Sequence, residues 1–157
     1  MVLGHEGAGV VIATGPDVQK LQKGDRVGWG FLQSTCGHCE QCLEGPETFC
    51  PQRKMYGATD LDQGSLAYGI VKKEDWLFMI PDALTDEEAA PLMCAGATVF
   101  NVLTSYGVKP TDKVGIIGIG GLGHLAIKVC NSKIRARCSL STSDTDQRRL
   151  VCVEDGL

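Results

Sequence analysis

Four closely spaced cysteines constrain this chain more than any other feature of its sequence. They follow a C-x2-C-x2-C-x7-C pattern and are Cys36, Cys39, Cys42 and Cys50. Two successive C-x-x-C steps present thiolates from one turn of backbone, and the following loop returns the fourth sulfur, so one tetrahedral ion can bind all four. The spacing predicts a structural zinc site in which protein fills every coordination position.

Disulfides, an iron–sulfur cluster and unconnected core thiols are the alternatives for the same four cysteines. The chain opens with MVLGHEGAG, which has no basic stretch, apolar run or small-residue cleavage site typical of a secretory signal. This start favours a cytoplasmic location, where thiols stay reduced. We therefore expect metal-bound thiolates, with no coordination position left open for a substrate.

Composition excludes several classes of partner. The chain has 157 residues, 43% of them hydrophobic, which allows one average domain or two small ones. A net charge of −4 argues against general affinity for nucleic acid or anionic membranes, and no apolar run reaches the length of a membrane span. Small molecules or other protein subunits are the expected partners.

A glycine-rich motif near the carboxyl end predicts a dinucleotide-binding loop. The apolar run 113–117 leads into a G-x-G-x-x-G sequence and then into a helix-like stretch. In such a loop the first glycine permits the turn, the second lets the backbone approach a pyrophosphate, and the third lets helix and strand pack closely. The alternative is an accidental glycine-rich turn. The candidate cofactor residues here are Gly118, Gly120, Gly121, Leu122 and Gly123.

The amino-terminal stretch carries a resemblance to a known family. Gly4-His5-Glu6, followed by Gly9, Gly15 and Val18, resembles the signature of zinc-containing medium-chain alcohol dehydrogenases. The remaining family elements follow in order: a turn at 24–27, the cysteine lobe, the stretch 90–99 and the dinucleotide loop. The resemblance extends to about residue 128. The segment 55–65 and the motif around Cys94 look most like the NADP-dependent, cinnamyl-alcohol-dehydrogenase-like branch, including its fungal members.

The resemblance implies roles for several residues. His5 and Cys94 would be ligands of a catalytic zinc, Glu6 a carboxylate beside that metal, and Thr98 a neighbour of the nicotinamide. In the family a further cysteine ligand lies upstream of the Gly-His-Glu element, whereas this sequence begins four residues before His5. We therefore expect a catalytic site with two of its three protein ligands, in a chain truncated at both ends.

The cofactor preference depends on the residues after the glycine loop. About twenty residues on, where an NAD enzyme carries an acid for the ribose hydroxyl, the chain has Leu140-Ser141-Thr142-Ser143. Hydroxyl side chains accept a 2′-phosphate that a carboxylate would repel, so Ser141 and Ser143 favour NADP(H) over NAD(H). The polar stretch 135–139 is a poor candidate for a buried parallel strand.

The predicted fold is α/β overall. Residues 1–90 would form a partial GroES-like, β-rich catalytic domain with the zinc lobe at 36–50. Residues 91–157 would form a connecting helix and the first part of a Rossmann parallel-sheet domain. The implied function is NADP-dependent, zinc-dependent interconversion of an alcohol and an aldehyde, by a homodimer in the complete family fold. The alternatives are a non-catalytic, truncated zinc-binding fragment and a polyol dehydrogenase of the same superfamily, against which Cys94 argues.

Overall fold

A computed structural model of the chain describes residues 1–59, 61–134 and 137–141. Its contacts divide the chain into one unit that spans Met1–Cys94 and a second that begins at Ala95. The domain boundary between residues 90 and 91 stays a prediction. The strands are β1 (Gly7–Val10), β2 (Arg26–Trp29), β3 (Leu32–Ser34), β4 (Lys54–Met55), β5 (Phe78–Met79), β6 (Lys113–Ile117) and β7 (Arg137–Ser141).

The helices are short in the first unit and longer in the second. Four α-helices are described: α1 (Glu40–Glu44), α2 (Asp86–Ala89), α3 (Ala95–Ser105) and α4 (Gly121–Val129). Three 3₁₀ turns lie in the first unit, at Glu47–Phe49, Glu74–Trp76 and Ala90–Met93, and a π-helical turn at Cys130–Ile134 continues α4. No helix among the described residues has both the length and the apolar character needed to cross a bilayer.

The first unit is built on short antiparallel strands. Strand β2 is the centre of a three-stranded sheet, with β1 on one side and β5 on the other, while β3 and β4 form a separate pair. The buried apolar side chains of this unit include Val27, Trp29, Leu32, Tyr56 and Ile80. The β-rich character predicted for this part of the α/β fold is confirmed.

Helix α2 has acidic residues in its first turn and a reciprocal cap at its start. The Thr85 hydroxyl accepts a hydrogen bond from the Glu88 backbone at 3.3 Å, and the Glu88 carboxylate accepts one from the Thr85 backbone at 3.0 Å. This reciprocal capping satisfies two backbone donors. The Arg26 guanidinium on β2 donates to the Asp86 carboxylate and to the Leu84 carbonyl, each at 2.7 Å. These bonds tie the helix to the central strand.

The second unit contains a parallel strand–helix–strand arrangement. Helix α3 ends shortly before Gly107, which lies in the left-handed region with φ +63°. Strands β6 and β7 pair in parallel on either side of α4 in sequence. A strand forms at Arg137–Ser141, partly within the polar stretch that the sequence disfavours as a buried parallel strand. Among the described residues β7 has a neighbour on one side only, and edge strands tolerate polar side chains.

The carboxylate of Glu74 is held by the backbone of a loop 53 to 55 residues away. It accepts hydrogen bonds from the N–H groups of Gln19 at 3.2 Å, Lys20 at 2.5 Å and Leu21 at 2.9 Å. Desolvation opposes ionisation, but these three donors outweigh it and lower the pKa of Glu74 below its usual value. The interaction anchors the loop between β1 and β2.

Because the pKa of Glu74 is lowered in the folded chain, its carboxylate stabilises the fold at pH values above the ordinary carboxyl pKa. This stabilisation is lost as the pH falls through the pKa that Glu74 has in the folded chain. We expect Glu74→Gln to lower the urea midpoint of unfolding at neutral pH. The midpoint of this variant should also decrease less than that of the unsubstituted chain between about pH 5 and pH 3. Asp75→Asn is the matched control, because Asp75 makes only an exposed ion pair with Lys20 at 3.7 Å. Equal effects of the two variants would contradict the anchoring role.

Candidate functional site

The cysteine lobe lies between β3 and β4 and is shaped by two glycines. Cys36 follows β3, and Cys39 is the residue before α1, which also carries Cys42. Gly37 and Gly45 take positive φ values of +76° and +103°, which reverse the chain after the first ligand and at the end of α1. The 3₁₀ turn Glu47–Phe49 then returns the fourth cysteine, Cys50, which is fully buried.

The four sulfurs converge on one point. Their separations are 3.9 Å for Cys36 and Cys42, 3.5 Å for Cys39 and Cys42, and 3.7 Å for Cys36 and Cys50. All four lie within 4.8 Å of one another. A tetrahedral zinc with Zn–S bonds of about 2.3 Å requires sulfurs about 3.8 Å apart. The sulfur geometry therefore fits a single zinc ion.

The same distances exclude disulfides within the lobe, because bonded sulfurs lie about 2.05 Å apart. All six cysteines whose side chains are described have free thiols. An iron–sulfur cluster would require the sulfurs to stand farther apart, since several metal atoms lie between them. Cys138 and Cys152 do not have described side chains. Of the alternatives open from the sequence, a single tetrahedral ion agrees best with this geometry.

The thiols of the lobe differ in acidity when no cation is present. The His38 backbone N–H is the main group that lowers the pKa of the Cys36 thiol, to about 6, against the effect of desolvation. For Cys39, the Cys42 backbone favours the thiolate, but desolvation and the neighbouring sulfurs raise the pKa to about 12. Without a cation, the crowded sulfurs must share protons. A divalent cation would displace these protons, as zinc does at thiolate sites.

A second group of metal-ligating side chains lies elsewhere in the first unit. The imidazole of His5, the carboxylate of Glu6 and the thiol of Cys94 have ligand atoms within 4.8 Å of one another. His5 and Glu6 precede β1, and Cys94 follows the 3₁₀ turn Ala90–Met93. The chain therefore brings together residues 89 positions apart, with the nitrogen and sulfur donors that zinc prefers.

Two glycines of the β2 region admit the segment that carries Cys94. A Cβ on Gly30 would lie 2.6 Å from the Met93 carbonyl oxygen. A Cβ on Gly28 would overlap the Met93 methyl group and lie 2.6 Å from its sulfur. Because neither side chain is present, the residue before Cys94 packs directly on the sheet. This role of Gly28 and Gly30 was not predicted, because no local sequence signal marks a contact with a residue more than 60 positions away.

An open cleft of about 140 Å³ also lies in the first unit. Trp29, which lies shortly before the cysteine lobe in sequence, does not line it. The Trp29 ring is 7% exposed and packs against Gly7, directly opposite on β1. The cleft is lined by Gly30, Phe31, Leu32, Glu47, Trp76, Phe78 and Met93.

The glycine loop of the second unit has the backbone features that its sequence predicts. Gly118 follows β6 with φ +85°, and a Cβ on Gly123 would overlap the Gly118 carbonyl oxygen, so the helix can pack only with glycine there. A Cβ on Gly120 or Gly121 would meet nothing within 4 Å. Space is thus open at the start of α4, where backbone N–H groups would face a phosphate. Leu122 lies in the first turn of α4 and is half exposed.

The remaining cofactor candidates lie at different places. Thr98 is an exposed residue of α3. Ser141 ends β7 and is paired in register with Ile117, the residue directly before the glycine loop. The sheet therefore brings the Ser141 backbone beside the loop, as a 2′-phosphate contact requires. Ser143 lies outside the described residues.

Comparison with known proteins identifies the family. Residues 1–82 match the family model described as the alcohol dehydrogenase GroES-like domain. The chain belongs to the zinc-containing medium-chain alcohol dehydrogenase family. The cysteine lobe and the group around Cys94 both lie in the unit that contains this match.

Several members of the alcohol dehydrogenase family are similar to this chain over most of its length. An alcohol dehydrogenase of Geobacillus stearothermophilus is 46% identical over 128 residues, which are 82% of this chain and 37% of the relative. The structure of a cinnamyl alcohol dehydrogenase from Sorghum bicolor matches with a TM-score of 0.86 and 32% identity, over 94% of this chain and 44% of the other.

A third similar protein is described with a bound cofactor. A Helicobacter pylori protein described as CAD complexed with NADP(H) gives a TM-score of 0.86 and 30% identity, over 95% of this chain and 45% of the other. The chain thus spans about two fifths of the length of the relatives that it matches.

Proposed function

We propose that this chain supplies the metal-binding residues and the first part of the cofactor site of an NADP-linked, zinc-dependent alcohol dehydrogenase. The observation that carries the proposal is the convergence of His5, Glu6 and Cys94 within 4.8 Å. Membership of the alcohol dehydrogenase family supports the reaction class, which is the transfer of a hydride between a small alcohol or aldehyde and a nicotinamide.

In this proposal the residues of the first unit hold the catalytic metal. His5 offers a neutral imidazole nitrogen, Cys94 an anionic sulfur and Glu6 a carboxylate oxygen. When bound, zinc supplies a Lewis acid that lowers the pKa of an alcohol hydroxyl, and NADP⁺ supplies the hydride acceptor. The four cysteines of the lobe hold a separate, structural zinc.

NADP(H) is the proposed cofactor. The open space at Gly120 and Gly121 leaves room for a pyrophosphate at the start of α4, and β7 brings the Ser141 backbone beside that loop. A serine at this position does not repel a 2′-phosphate as an acid would. The Helicobacter pylori relative described with NADP(H) supports the same choice. The homodimer implied by the resemblance stays a prediction.

The cofactor proposal predicts an effect of charge at Ser141. We expect the chain to bind NADPH more tightly than NADH, and Ser141→Asp to reduce or reverse the difference by roughly tenfold, because the carboxylate repels the 2′-phosphate and accepts from a ribose hydroxyl. Fluorescence titration of both nucleotides measures this, with Ser141→Ala as the control for loss of the hydroxyl alone. Equal affinities for NADPH and NADH before substitution would contradict it.

Metal analysis together with turnover tests the proposed function. Two zincs per chain with NADPH-dependent aldehyde reduction above background would support it and would exclude a non-catalytic zinc-binding fragment. One zinc per chain without turnover would overturn the enzymatic proposal for this chain and support the fragment. Replacing Cys94 by Ser should then remove the second zinc and the turnover together, while the zinc of the lobe stays.

A further inference from the structure

We infer that Gly64 positions the His5 segment and thereby the proposed catalytic metal group. This inference rests on the proposed function, since it concerns the same three ligands. Gly64 lies 59 residues after His5, in a loop that follows the cysteine lobe and carries no metal ligand of either group. Its role would be to place the backbone that carries the imidazole.

The loop holds residues 2–4 by three backbone hydrogen bonds. Val2 donates its N–H to the Leu61 carbonyl at 2.9 Å. In the opposite direction, Ser65 donates to the Gly4 carbonyl and Leu66 to the Leu3 carbonyl, each at 3.0 Å. These bonds end at the residue directly before His5. We call residues 61–66 the clamp.

Gly64 is the point of closest approach within the clamp. A Cβ on this buried glycine would lie 2.7 Å from the Leu3 carbonyl oxygen and 3.0 Å from those of Val2 and Gly4. Cβ atoms essentially never approach so closely, and the obstacle is backbone of three consecutive residues that cannot rotate away. A methyl group here must therefore displace the segment before His5.

Residues 2–4, which the clamp holds, are equally constrained at Gly4. This residue has φ +85°, and a Cβ on it would overlap the Ser65 hydroxyl oxygen. Glycine is thus required on both sides of the contact, at Gly4 and at Gly64. The outer part of the loop is fixed as well, because the Gln63 side-chain oxygen accepts a hydrogen bond from the Val71 backbone at 2.8 Å. The clamp is a close-packed backbone contact that fixes the chain up to Gly4, the residue before His5.

Displacement of the clamp should affect the two metal groups differently. The ligand atoms of His5, Glu6 and Cys94 must converge to within bonding distance of one ion, and loss of a supporting partner typically costs 10- to 100-fold in metal affinity. The cysteine lobe uses none of the clamp residues. A positioning role therefore predicts loss of zinc at Cys94 with retention at the lobe, whereas general unfolding would remove both.

Zinc-dependent protection of individual cysteines from alkylation, measured by mass spectrometry, tests this inference. We expect Gly64→Ala to raise the zinc concentration that protects Cys94 by at least about tenfold, with the lobe cysteines protected as before. Gly69→Ala is the matched control, because a Cβ on Gly69 meets nothing within 4 Å and its φ is not positive. It should leave both sites unchanged.

The outcomes separate this inference from the proposed function. Protection of Cys94 at the same zinc concentration in Gly64→Ala and the unsubstituted chain would overturn the positioning role alone. Failure of zinc to protect Cys94 in the unsubstituted chain would overturn both. If Gly64→Ala does not fold, Gln63→Ala takes its place, because it loosens the loop without a steric clash. That variant should weaken protection of Cys94 but not of the lobe, and no change would contradict the role.

Discussion

Replacing Cys39 by serine is expected to abolish zinc binding in the lobe and to unfold residues 36–50. The lobe has little else to hold it, because neither α1 nor the turn Glu47–Phe49 contains a buried residue. The apparent binding free energy of a structural zinc is about 10–16 kcal/mol, and in such sites it is folding free energy. We therefore expect rapid proteolysis within 36–50 and alkylation of the three remaining lobe thiols.

The control for Cys39→Ser is His38→Ala on the same turn. His38 is exposed, and its ring contacts the Cys36 carbonyl oxygen at 2.8 Å, outside the group of four sulfurs. Its replacement keeps the backbone N–H that acts on Cys36, so the lobe should retain its zinc and its resistance to protease. Unchanged zinc content and protease resistance in Cys39→Ser would show that the lobe does not depend on a four-thiolate ion.

Gly7→Ala is expected to have the second largest effect, with a loss of about 3 kcal/mol in the free energy of unfolding of the first unit. A Cβ on Gly7 would overlap Cε2 and Cζ2 of the Trp29 ring and lie 2.7 Å from its nitrogen. The ring is 7% exposed, so it has no solvent-filled space into which it can rotate. Urea unfolding followed by circular dichroism measures the loss.

Two further variants make the Gly7 prediction specific. Gly28→Ala meets the flexible end of Met93 and should cost only about 1 kcal/mol. Trp29→Leu should remove most of the penalty, so that Gly7→Ala in that background costs at least about 1.5 kcal/mol less. Trp29→Leu also removes a buried indole N–H that finds no hydrogen-bond partner among the described residues. Additive effects of the Gly7 and Trp29 substitutions would contradict the direct clash.

The structural features that were predictable from sequence depend on the spacing of residues that are close together in the chain. The C-x2-C-x2-C-x7-C pattern fixes which sulfurs can share an ion, because the intervening loops are too short to separate them. The G-x-G-x-x-G motif likewise fixes a turn between a strand and a helix. Gly107 and the acidic first turn of α2 mark helix ends for equally local reasons.

The features that sequence did not predict depend on contacts between distant residues. Gly30 allows the close approach of the Met93 carbonyl, and Gly64 allows the close approach of the backbone of residues 2–4. No residue next to either glycine in sequence indicates these contacts. Strand β7 was unexpected because its side chains are polar, whereas its pairing with β6 depends on backbone hydrogen bonds. The place of Trp29 opposite Gly7 likewise follows only from the strand register.

The zinc content of the chain, purified without added metal and measured together with the reactivity of its eight cysteines, tests the central claim most directly. We expect at least one zinc per chain and protection of Cys36, Cys39, Cys42 and Cys50 from alkylation, with both lost together on treatment with a strong chelator. A folded chain without zinc, in which these four thiols react freely or form disulfides, would contradict it.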